Sequence, residues 1–131
     1  MNLREIDRLV AEKVMGWKLR KYFEDDCYIT DEWVTDIEDK FGNGVIVIDV
    51  DKFNPSTNIQ DSWQVVEELI DRGYDFNLWR SEQREYNAEF QIQKEDGFVV
   101  SYGESDHAPT AICFASLEAV GVDVNDYLQM S

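Results

Sequence analysis

The chain has 131 residues, 44% hydrophobic and 13% aromatic, and its 28 acidic residues against 12 basic ones give a formal net charge of −16. That length fits one domain, residues 1–131, with a single core, and so apolar a composition excludes a disordered chain. The charge opposes direct binding to nucleic-acid phosphates and suits either plain solubility or steering toward a basic protein surface.

The first predicted element is a helix over 3–15, with Leu3, Ile6, Leu9, Val10 and Val14 on one stripe. Asn2 is its predicted N-cap and Gly16 its stop. The opening stretch MNLREIDRLVAEK is charged throughout and lacks the apolar region of a signal peptide. No run of about eighteen apolar residues exists, so no membrane partner is expected. A cytoplasmic protein follows, with Cys27 and Cys113 both reduced.

Residues 17–56 give the weakest pattern. VIVIDV (45–50) reads as a strand after the Gly42-Asn43-Gly44 turn, and CYIT (27–30) is a candidate partner for it. TDEWVTDIEDKF (30–41) fits a short helix with Trp33, Ile37 and Phe41 on one face.

The stretch FNPSTNIQDSW (53–63) reads as a helix start. Pro55 holds Asn54 extended, so no helix runs in from upstream. Asn58 is a plausible N-cap, with a Thr57–Gln60 capping box in competition. The helix spans 59–72, places Ile59, Trp63, Val66, Leu69 and Ile70 on one face, and ends at Gly73. That spacing predicts Trp63 in the core.

Three strand patterns follow at 74–81, 85–94 and 98–102. Glu95-Asp96-Gly97 is a hairpin turn signal, and the connections are too short for crossovers, so the three form an antiparallel meander. A third helix, 107–120, is apolar nearly all round with Glu118 its only charge, which predicts burial on more than one side. Ala108, Ala111, Ala115 and Ala119 form a small-residue face. Ser105 or Asp106 is its predicted cap, Pro109 fits the first turn and Gly121 ends it.

In order, IDRLVAEKVMGW, FNPSTNIQDSWQVVEEL, the meander and APTAICFASLEAVGV resemble the phage ABA-sandwich domain family, small proteins of phages and prophages of Gram-positive bacteria. The resemblance covers the helical ends and the meander, and covers residues 18–52 poorly. It implies an α+β fold in which an antiparallel meander is packed between helices as a three-layer α/β/α sandwich. It also implies a setting in the host-cell cytoplasm. It carries over no catalytic residues.

Little chemistry is written in the residues. His107 is the one histidine, so sites built on several His or Cys are excluded. No phosphate-binding glycine motif is present. Glu24-Asp25-Asp26, Asp49 with Asp51, and Asp123 with Asp126 read as solvated acidic faces. No enzyme activity, cofactor or metal is expected. The candidate ligand or interface residues are Trp79, Arg80, Arg84 and Tyr86, with Lys94 nearby. The preferred reading is a non-enzymatic acidic module that binds the basic surface of a host or phage protein. The alternatives are a binder of a nucleotide signal used in host defence and a metal-assisted enzyme built on the acidic clusters. The apolar third helix also allows a two-fold homodimer.

Overall fold

The computed structural model describes residues 2–38 and 44–123. Helix α1 (Leu3–Leu9) continues into one π-helical turn, Val10–Val14. Asn2 caps it as expected, its side chain accepting from the Glu5 amide at 2.9 Å. Ile6, Val10 and Val14 are buried, and Gly16, at φ +75°, ends the element.

A first antiparallel sheet follows, in the order β1 (Lys18–Glu24), β2 (Cys27–Glu38), β3 (Gly44–Asp49). The hairpin between β1 and β2 turns on Asp25 and Asp26, both left-handed at φ 50° and 63°. Two positive φ values make the mirror-type turn whose twist matches the flanking strands, and Asp tolerates it better than most residues. One acidic cluster is therefore a turn. The short helix expected over 30–41 is corrected by the structure: 30–38 belongs to β2. Its partner decides the conformation, since Trp33 lies opposite Leu19 on one side and Ile48 on the other. Arg20 also reaches across to Glu32 at 3.5 Å. Phe41, Gly42 and Asn43 lie outside the described residues.

A 3₁₀ turn, Val50–Lys52, leads into FNPSTN. Phe53 is buried and meets Trp17 edge-on, with ring centroids 4.7 Å apart. Ser56 joins three segments. Its amide donates to Asp7 Oδ1 at 2.8 Å, and its carbonyl accepts from Thr110 Oγ1 at 2.8 Å. Burial pushes the Asp7 carboxyl above its ordinary range, and the Ser56 amide pulls it back. Asn58 caps α2 (Ile59–Asp71), its side chain accepting from the Asp61 amide at 3.0 Å. Asn58→Ala should cost about 0.5–2 kcal/mol in denaturant unfolding, and an unchanged midpoint would remove the cap.

The buried stripe of α2 is corrected as well. Ser62, Val65, Val66 and Leu69 face the core, while Ile59, Trp63 and Ile70 are exposed. The two stripes overlap at helical spacing. The observed one lets a small and a β-branched side chain approach the next helix closely, and Trp63 is left at the rim, perpendicular to Phe76 at 6.0 Å.

The meander is β4 (Asp75–Arg80), β5 (Tyr86–Lys94) and β6 (Gly97–Ser105), antiparallel in that order. Helix α3 (Ala108–Ala119) packs over β5 and β6, and against α2. Its cap differs from expectation. His107 occupies the N-cap with no side-chain bond, and Ser105 Oγ accepts from the His107 amide at 3.3 Å. The apolar circumference of α3 is covered within the chain, with Thr110 to Cys113 and Ala115 to Leu117 buried.

The observed class is an α+β sandwich of helices and antiparallel sheets. Both α2 and α3 lie on the meander face that carries Phe76, Phe90 and Gly103. The first sheet enters the same core through Trp33. No helix among the described residues is long and apolar enough to cross a membrane.

Candidate functional site

Directly paired residues of an antiparallel ladder point to one side, and alternation sends the next pair to the other. The register therefore assigns Asp75, Asn77 and Trp79 of β4, Asn87, Glu89 and Gln91 of β5, and Phe98, Val100, Tyr102 and Glu104 of β6 to the face away from α2 and α3. Every charged residue in that set, Asp75, Glu89 and Glu104, is acidic. Among the described residues no helix covers this face.

Its centre is aromatic. Trp79 is 44% exposed and Tyr102 41%. Their ring centroids are 6.2 Å apart at 42°, spanning β5 from opposite edges. Beneath them lies Asn87, buried, with its side-chain oxygen against the Tyr102 hydroxyl. The same hydroxyl is 3.1 Å from Glu104 Oε2. Asn87 Nδ2 donates to the Glu85 carbonyl at 3.2 Å. A polar framework thus fixes the Tyr102 side chain while both rings stay about half exposed.

Glu85 and Glu104 form a like-charged pair beside the rings. A hydrogen bond to Glu104, and then its charge, raise the Glu85 carboxyl above its ordinary range, with Asp106 contributing. Desolvation, followed by Glu104, raises the Tyr102 phenol. A carboxyl raised in the fold binds its proton more tightly than in the unfolded chain. Its contribution to stability is therefore present at low pH and lost as pH rises through the folded value. Glu104→Gln should lower the Glu85 titration and raise the melting temperature at neutral pH, the gain closing as both carboxyls protonate. NMR titration of Glu85 Cδ checks this, and an unmoved midpoint would show that the two carboxylates do not interact.

The sequence-derived candidates do not converge. Trp79 lies on the open face. Arg80, one residue on, turns the other way and holds its guanidinium 5.6 Å over the Tyr86 ring. Arg84 sits left-handed in the β4–β5 loop at φ +67°, its amide bonded to Ser81 O at 2.9 Å. Lys94 pairs with Gly97 at the far end of the hairpin. Sequence reasoning missed Tyr102, Asn87, Glu104 and Glu85. A signal existed: the two-residue Glu95-Asp96 turn sets Lys94 opposite Gly97, and counting back places Glu89 by Tyr102 and Asn87 by Glu104.

A family model of the phage ABA sandwich domain matches residues 8–117. The chain belongs to that family. No curated protein and no solved structure matches it.

Proposed function

We propose that this member of the phage ABA sandwich domain family is a non-enzymatic interaction module whose open meander face docks the basic surface of a host or phage protein. One observation carries the reading: the half-exposed Trp79–Tyr102 pair lies on a face whose charged ladder residues are all carboxylates. Tyr and Trp are the residues that anchor interfaces, because they bury large area at small entropic cost. A rim of one charge sign selects a partner of the opposite sign and speeds its approach. The net charge of −16 acts in the same direction.

The test is co-purification from phage-infected host lysate with wild type, with Trp79→Ala/Tyr102→Ala, and with Trp63→Ala as a control on another exposed tryptophan. Wild type and the control should retain the same basic protein, released by raised salt, and the double variant should lose it. A partner retained equally by the double variant, or held irrespective of salt, would refute the proposal.

A further inference from the structure

A second feature, remote in sequence from the meander, has the form of a small-molecule site. A cleft of about 260 Å³ opens between α1, β2 and the turn after β3. Trp33 and Phe53 line it, both 1% exposed. Arg4 and Arg8 also line it from α1. They are four residues apart and so share one helix face. Neither enters an ion pair among the described residues.

Tyr28 and Asp31 line the cleft from β2, and a β-bulge explains how. The register with β1 slips between Tyr22 and Phe23, leaving Ile29 unpaired. A bulge of this kind shifts the alternation by one, so Tyr28 joins the face of Asp31 and Trp33. Asp31, followed by desolvation, raises the Tyr28 phenol above its ordinary range. Asp31 Oδ1 is buried and has no hydrogen-bond partner. A buried carboxylate oxygen left unpaired is costly, and it accepts strongly from any N–H that reaches it.

The charges around the cleft indicate the ligand. Three carboxylates, Asp7, Asp31 and Asp51, face two guanidiniums. Asp7 is already engaged by the Ser56 amide. Asp7 shares α1 with the two arginines and also feels the Arg4 charge, whereas Asp31 and Asp51 stand on the walls that carry no cation. A phosphate-rich ligand would meet the carboxylates and a plain amine would meet the arginines. A molecule with one group of each sign satisfies both walls.

We propose that this cleft binds a small amino-acid-like zwitterion, its ammonium donating to Asp31 Oδ1 and its carboxylate lying against Arg4 and Arg8. Trp33 and Phe53 supply the apolar wall for its carbon skeleton. The site is separate from the Trp79–Tyr102 face, and neither proposal depends on the other.

The experiment is isothermal titration and ligand-observed NMR of the full chain against the twenty free amino acids, with putrescine as the cation-only probe and inorganic phosphate as the anion-only probe. At least one amino acid should bind saturably, and neither control should. Asp31→Asn should weaken that binding by at least about tenfold, the loss expected for one charge-assisted hydrogen bond. Arg8→Gln, on the exposed helix face, should weaken it independently without loss of fold. No saturable binding by any amino acid, binding indifferent to both variants, or equal binding of either single-charge probe would overturn the proposal.

Discussion

Gly103→Ala should unfold the sandwich, or come close to it. A Cβ at this position would stand 2.3 Å from the Ala111 carbonyl oxygen, 2.5 Å from the Ala115 amide nitrogen and 2.9 Å from Phe114 Cβ. The first two atoms are helix backbone, so no rotamer change makes room, and α3 must lift from β6. Gly103 is not left-handed, and its requirement is contact rather than conformation. Overpacking a core costs about 1–3 kcal/mol and occasionally more. Because the obstruction here is backbone, we expect about 3 kcal/mol or more, a large part of the roughly 5–15 kcal/mol that holds a domain together. A thermal melt of the variant decides it. A transition at the wild-type temperature would mean that α3 does not approach the meander this closely.

Trp33→Ala should cost about 3–5 kcal/mol, as expected for an aromatic removed from a full core. Trp33 is 1% exposed and stands between Leu19 and Ile48 in the first sheet. Trp63→Ala should cost much less, because Trp63 is 47% exposed and makes its ring contact at the edge of Phe76. Denaturant unfolding of the two variants side by side ranks them. A Trp63→Ala loss exceeding that of Trp33→Ala would reverse the burial assigned to α2 and β2.

Local signals were legible wherever the chain itself supplies the partner. Asn2 and Asn58 cap the helices they precede, and Gly16, Gly73 and Gly121 all take left-handed φ after a helix. The meander was legible because its alternation is regular and one of its turns contains two residues. What failed depended on distant partners. TDEWVTDIE carries a helical spacing of Trp33 and Ile37, and it becomes β2 only because Lys18–Glu24, a charged stretch with little apolar pattern, pairs with it. Asp25-Asp26 is a weak turn signal beside Asn-Gly, so that hairpin went unseen. In α2 two stripes overlap, and α3 rather than periodicity selects Ser62, Val65, Val66 and Leu69.

The candidate site was half legible. Trp79 lies on the face away from Phe76 and Leu78, as strict alternation along β4 requires. Arg80 and Tyr86, also named as candidates, pair with each other on the opposite face. Neighbours along a strand face opposite ways, whereas Tyr102 and Glu104 reach Trp79 only through the register of all three strands. The cleft at Arg4, Arg8 and Asp31 was invisible, since a one-residue bulge at Ile29 controls which β2 side chains enter it.

The most direct measurement of the central claim is site-specific photo-crosslinking in infected host cells. The photoreactive side chain p-benzoylphenylalanine replaces Val100, on β6 two residues from Tyr102 on the open meander face, or Ile70, on the outer side of α2. The two positions are matched in exposure, at 50% and 48%, so chance collision labels both equally. We expect Val100 to capture one basic protein reproducibly and Ile70 to capture none, with the Val100 adduct suppressed by Trp79→Ala. Equal labelling at the two positions, or a specific adduct at Ile70 alone, would contradict the assignment of the Trp79–Tyr102 face as the docking surface.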